Sequence, residues 1–174
     1  MKKRMLSLLL AVALVLGLCP SVFAAGSSYA DVLDTHWAHP YIEDVTEKGI
    51  MNGVDDKNFA PEDAMTRAMF VTVLGRLADA DPADDGKRTF SDVEPDSWYG
   101  PYVAWAAENG IVNGVGGGKF EPDGNVTREQ IATILYRYAG LRGVPTGGRA
   151  DLGSFPDGGA VSGWAYDALS WANA

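Results

Sequence analysis

The sequence predicts a mostly α-helical protein built from tandem helix–loop–helix repeats, and three observations carry that prediction. The chain superimposes on itself at a shift of 61 positions without a gap. Each copy holds stretches with apolar residues at helical spacing. Proline and glycine bracket those stretches at matching places in both copies.

The self-match pairs Asp31 with Asp92, Trp37 with Trp98, Pro40 with Pro101 and Tyr41 with Tyr102. It continues through Gly49/Gly110, Ile50/Ile111, Asn52/Asn113, Gly53/Gly114, Phe59/Phe120 and Pro61/Pro122. Thr66/Thr127, Arg67/Arg128, Leu74/Leu135 and Arg76/Arg137 complete it. A third copy begins at Phe155-Pro156-Asp157 on Phe90-Ser91-Asp92 and needs one inserted residue before Trp164. Ala168 to Ala172 then lie on Tyr102 to Ala106, and the sequence given ends at Ala174. The domain boundaries that follow are 1–24 leader, 29–78 repeat 1, 79–89 linker, 90–140 repeat 2, 141–154 linker and 155–174 partial repeat 3.

Within a repeat, the first helix opens at Pro40 or Pro101, because proline is tolerated at the first helical position. It ends at Gly49 or Gly110, where glycine takes the left-handed conformation at little cost. Tyr41, Ile42 and Val45, and likewise Tyr102, Val103, Trp105 and Ala106, form its expected buried face. Asn52-Gly53 and Asn113-Gly114 are turn dipeptides, followed by Phe59-Ala60-Pro61 and Phe120-Glu121-Pro122, whose Phe is expected to plug the core. The second helix opens at Thr66 or Thr127. Thr127 and Gln130 fit a capping box, in which each satisfies a free backbone N–H near the other; Met69 stands at the Gln position in repeat 1, leaving half a cap. Phe70, Val73, Leu74 and Leu77, and likewise Ile131, Ile134, Leu135 and Tyr138, give the expected apolar stripe. Trp164 to Asn173 is expected to supply a third copy of the first helix. Units of this size bury too little surface alone, so the repeats must pack on one another.

Export is read from the N-terminus. Lys2, Lys3 and Arg4 precede the apolar run Met5 to Leu18, and Val22-Phe23-Ala24 places cleavage after Ala24, with a retained anchor and then a lipoprotein at Cys19 as the alternatives. Cys19 leaves with that leader, so the mature part forms no disulfide. Three of the 14 basic residues leave as well, so 11 face 23 acidic residues and the mature net charge is −12. Such a surface excludes nucleic acid and anionic membrane as partners.

The ordered set Asp-Val, Trp, Gly-Ile, Asn-Gly, Phe-x-Pro and Thr-Arg resembles S-layer homology (SLH) domains. It is carried here by Asp31-Val32, Trp37, Gly49-Ile50, Asn52-Gly53, Phe59-Ala60-Pro61 and Thr66-Arg67, and again from Asp92-Val93 to Thr127-Arg128. The resemblance implies three repeats around a pseudo-threefold central bundle formed by their first helices. It also implies non-covalent binding, at the cell wall or surface, to an anionic and often pyruvylated secondary cell-wall polysaccharide. The family's Thr-Arg-Ala-Glu motif places its Arg in an inter-repeat groove, which carries that role to Arg67 and Arg128. Met69 replaces the Glu in repeat 1, Glu129-Gln130 replaces Ala-Glu in repeat 2, and the third motif is missing.

Physical chemistry points the same way: a helix start with free N–H groups favours an anion, and an arginine fork grips a carboxylate at two points. Thr66 and Thr127 complete the expected ligand set as caps beside those arginines. Trp37, Trp98 and Trp164 read first as core fillers, while Trp37 and Trp98 also join the ligand set as platforms for sugar stacking. Asp31 and Asp92 read as turn or cap residues. His36 and His39 have no Cys partners, and repeat 2 holds Ser97 and Gly100 in their places, so no metal or other cofactor is expected. Asp55 to Asn58 reads as a solvated turn, and Gly116-Gly117-Gly118 as a lengthened one. No nucleophile–base pair with an orienting group stands out, so no enzyme is expected. A structural or protein-interaction repeat without sugar binding, or the anchor fragment of a longer surface protein, is the alternative, and self-association is a further candidate partnership.

Overall fold

The computed structural model describes residues 29–81 and 88–174. The expected leader lies outside them. The elements are α1 (His39–Glu47), α2 (Arg67–Leu77), α3 (Gly100–Glu108), α4 (Arg128–Leu141) and α5 (Tyr166–Ala172), with two 3₁₀ turns at Leu152–Ser154 and Gly158–Ala160. Among the described residues only isolated bridges stand in for β-structure, and no helix is long and apolar enough to cross a membrane. The mostly α-helical expectation is met.

The punctuation works as the sequence implied. Pro40 and Pro101 lie in the first turns of α1 and α3. Gly49 follows α1 with φ 67°, and the bonds Gly49 N–H to Thr46 O and Ile50 N–H to Val45 O close a Schellman motif. Gly110 repeats it after α3 through Ala107 and Ala106. Helix α4 outlasts α2 by a turn. It runs through Leu141, one residue past the expected repeat boundary, and ends against Gly143, whose φ is 71°.

The packed helix pairs among the described residues are α2 on α3 and α4 on α5. Each pair crosses a repeat boundary, so second helices share the packing that the resemblance assigned to a bundle of first helices. The main core joins Val71 and Leu74 of α2, Val103 and Ala106 of α3, Ile134 of α4, and Phe90, Ile111 and Phe120 from the connecting segments. A smaller cluster of Val32, Ala38 and Ile42, flanked by Tyr29 and Phe59, serves repeat 1.

Two details correct the apolar stripes. Tyr41 and Leu77 are exposed, and Leu135 reaches the surface. In α2 the buried residues are Arg67, Ala68, Val71, Thr72, Leu74 and Gly75. That face is displaced toward small residues because α3 lies directly against it: a Cβ on Gly75 would sit 2.5 Å from the Tyr102 ring.

Candidate functional site

The junction between the two full repeats is built around Phe120. Asp92 reaches 28 residues ahead to accept the Phe120 N–H at 2.8 Å, and takes the Glu121 N–H at 2.9 Å. Asp31 does the same for Phe59 and Ala60, at 2.9 and 2.7 Å. These bonds hold turns in which Ala60 and Glu121 have positive φ, a backbone conformation costly for a residue with a Cβ. In both cases the carboxyl is held below its ordinary range. The Phe59 N–H is the largest influence on Asp31; for Asp92, burial pushes upward and the Phe120 and Glu121 N–H groups outweigh it.

The Phe120 turn then docks on the start of α2. Arg67 and Ala68 N–H donate to Gly124 and Pro122 carbonyls at 2.9 and 3.0 Å, and Met69 N–H donates to the Thr66 hydroxyl at 3.2 Å. The Arg67 Nε–H donates to the Phe120 carbonyl at 2.8 Å, with the guanidinium 4.7 Å from the Phe120 ring centroid. Phe120 is fully buried and Arg67 is 4% exposed. Burial lowers the Arg67 pKa, partly opposed by the charges of Glu121 and Asp92. Among the described residues, no carboxylate pairs with Arg67 at salt-bridge distance.

Two grooves with matching walls flank this junction. The first, of about 510 Å³, is lined by Asn52-Gly53, Met69, Thr72, Arg76, Asp123 and Trp98 among others. The second, of about 380 Å³, repeats that set 61 positions on, with Asn113-Gly114, Gln130, Thr133 and Arg137, and takes Trp164 from the partial repeat. Arg67 enters the second groove as well. Arg137 makes one long bond, Nη1 to the Ile111 carbonyl at 3.4 Å. The second groove thus gathers two arginines with no lining carboxylate, whereas the first sets Arg76 against Asp123.

The two full repeats match a known family. The S-layer homology domain family matches residues 28–69 and 89–132. The chain carries S-layer homology domains. The S-layer protein of Bacillus thuringiensis subsp. finitimus is 33% identical over 76% of this chain and 16% of its own length. An endoglucanase of Bacillus sp. (strain KSM-635) is 34% identical over 78% of this chain and 15% of its own. The cellulosome-anchoring protein of Acetivibrio thermocellus is 29% identical over 80% and 31%. The chain spans about a sixth of the length of the first two relatives.

The SLH architecture places the sequence-derived ligand residues unevenly. Arg67 reaches the second groove from the preceding repeat. Its helix start offers no free N–H in the first turn, since repeat 2 accepts from Arg67 and Ala68 and the Thr66 hydroxyl from Met69; the open helix start expected there is closed. Arg128 is exposed and lines a separate notch with Glu129 and Asp157. Thr66 and Thr127 are engaged as caps, and the Thr127–Gln130 capping box forms in both directions at 3.2 Å. Trp98 and Trp164 line the grooves, each 59% exposed, and Trp37 is 77% exposed. None of the three is the core filler first expected. Their SLH positions lie before the first helix, where the chain crosses the surface.

Sequence reasoning gave Arg76 and Arg137 no role. The repeat match had already paired them, and their place on the groove-facing side of the second helix was the available signal. His36 lies 3.3 Å from Glu62, and His39 3.4 Å from Asp34. The Asp55 carboxylate accepts the Lys57 and Asn58 N–H groups, which makes Asp55–Asn58 the turn it was read to be.

Proposed function

We propose that this chain is a non-enzymatic anchoring module that works at the cell surface and holds an anionic secondary cell-wall polysaccharide, of the pyruvylated kind, in its second groove. One observation carries the reading: Arg67 and Arg137 share a groove that has no carboxylate in its lining. A partly buried guanidinium without an ion partner leaves local positive potential in a protein whose overall charge is strongly negative. A sugar carboxylate or phosphate supplies the missing charge through charge-assisted hydrogen bonds. The Trp164 face, across the groove, offers a surface on which a sugar ring can stack. The first groove, with one arginine and Asp123, is the weaker site. The names of the S-layer and cellulosome-anchoring relatives support surface attachment. The endoglucanase shares only a small part of its length with this chain, so its activity is not carried over.

The test is titration of the chain with short acidic fragments of the polymer. Arg137→Ala should weaken binding by about tenfold or more, the scale of one lost hydrogen bond to a charged group. Arg128→Ala should leave fragment binding unchanged. Equal losses in both variants would remove the assignment to the second groove.

The burial of Arg67 favours a second reading, in which it only locks repeat 1 to repeat 2 and no sugar binds. Thermal stability separates the two, because a ligand that binds only the folded chain raises the melting temperature. No shift with saturating fragments would support the structural reading.

A further inference from the structure

Asparagine followed by glycine is a dipeptide prone to attack its own side-chain amide, because a residue without a Cβ lets its nitrogen close on the neighbouring carbonyl. The chain holds three such pairs, Asn52-Gly53, Asn109-Gly110 and Asn113-Gly114. All three asparagines are exposed, so exposure does not rank them. Their hydrogen bonds do.

Asn109 is engaged at both reacting ends. Its Nδ2–H donates to the Trp105 carbonyl at 2.8 Å, and the Gly110 N–H donates to the Ala107 carbonyl at 3.0 Å. Among the described residues, the side chains of Asn52 and Asn113 and the N–H groups of Gly53 and Gly114 make no hydrogen bond. Both pairs occupy the same kind of turn, with φ 72° at Gly53 and 73° at Gly114. The loops that follow them differ. After Gly53, the Asp55 carboxylate clamps the chain by accepting the Lys57 and Asn58 N–H groups at 2.7 and 2.8 Å. After Gly114, the matching positions hold Gly116-Gly117-Gly118, all exposed and all at positive φ, with no side chain to make a clamp. Glycine has the widest backbone freedom, so the second loop reaches the cyclisation geometry more readily.

The place of Asn113 gives the reaction a consequence. Asn113 lines the second groove together with Arg67 and Arg137, and Arg137 reaches the same segment through the Ile111 carbonyl. A carboxylate formed there supplies, from within the protein, the anion that the two arginines lack. It lowers the groove's positive potential. Asn52 lines the first groove, where Asp123 is already present, so a new charge changes less there.

We propose that Asn113 is a deamidation site that switches off the second groove as the folded chain ages. The Gly114 nitrogen bonds to Asn113 Cγ, and Nδ2 leaves as ammonia with the Gly114 amide proton. Water then opens the cyclic imide at either carbonyl, giving aspartate or isoaspartate. The site assignment stands on the loops alone; the loss of binding rests on the polysaccharide reading.

Peptide mapping by mass spectrometry, on folded chain held at mildly alkaline pH and sampled over time, tests the assignment. Asn113 should convert first, Asn52 more slowly, and Asn109 should stay intact; denatured chain should convert at all three. Conversion at Asn52 or Asn109 as fast as at Asn113 overturns the assignment. So does an intact Asn113 in folded chain whose denatured form converts. Titration with short pyruvylated fragments of the polymer tests the consequence. The converted chain and Asn113→Asp should each bind about tenfold or more weakly than fresh chain. Aged and fresh Asn113→Gln should bind alike, since the longer side chain closes its ring far more slowly. Undiminished binding by Asn113→Asp, beside fresh chain that binds, overturns the switch. Fresh chain that binds no fragment removes the polysaccharide reading and the switch together, while the mapping alone still decides the site.

Discussion

At the residue scale, Asp31 and Asp92 show how much one carboxylate organises. The sequence suggested local turn or cap residues, but each reaches 28 residues along the chain to a backbone with positive φ. Only the repeated spacing of Asp and Phe hinted at this, and spacing alone does not show which atoms meet. Their depressed folded pKa values have a definite sign. The carboxylates contribute stability above the ordinary carboxylate range, about pH 4, and lose it as pH falls through the lower folded values. Acid denaturation should therefore steepen below about pH 4. Asp92→Asn should lower the melting temperature at neutral pH and flatten that acid limb, measured by circular dichroism at a series of pH values. Arg67 was legible as a motif residue but its burial was not, because the residues that cover it come from the next repeat.

At the scale of elements, helix ends were readable and helix faces less so. Proline, glycine and threonine mark ends through their own backbone and capping chemistry, and those assignments stand at α1, α2, α3 and α4. Faces depend on what the helix meets. Gly75 faces Tyr102 at the first junction; at the second, the matching positions hold Tyr136 and Ala168, so the bulk has changed sides. Tyr136 meets Trp171 there, edge to face at 5.5 Å. Gly75→Ala should overpack the α2–α3 contact and cost about 1–3 kcal/mol, read as a lower denaturant midpoint with an unchanged slope. Thr127→Ala should cost about 1 kcal/mol by removing the capping box. Linker 141–154 shows the limit of composition as a guide. Rich in glycine, it still buries Leu152, and Ser170 Oγ–H donates to the Ala150 carbonyl at 2.6 Å.

At the scale of the molecule, the repeat is the unit of meaning. The 61-residue shift carried the fold class and the pairing of groove walls. It could not rank the grooves, because their difference lies in residues from neighbouring repeats: Arg67 in one, Asp123 in the other. Local positive charge on a protein of net charge −9 is the central physical claim, since the overall field repels the polymer that the second groove is proposed to hold. Co-sedimentation of the chain with purified cell walls, before and after chemical removal of the secondary polysaccharide, tests it most directly. The account predicts binding to intact walls that disappears with the polymer and is sharply weakened by Arg137→Ala. Undiminished binding to stripped walls, or to intact walls by the variant, would contradict it.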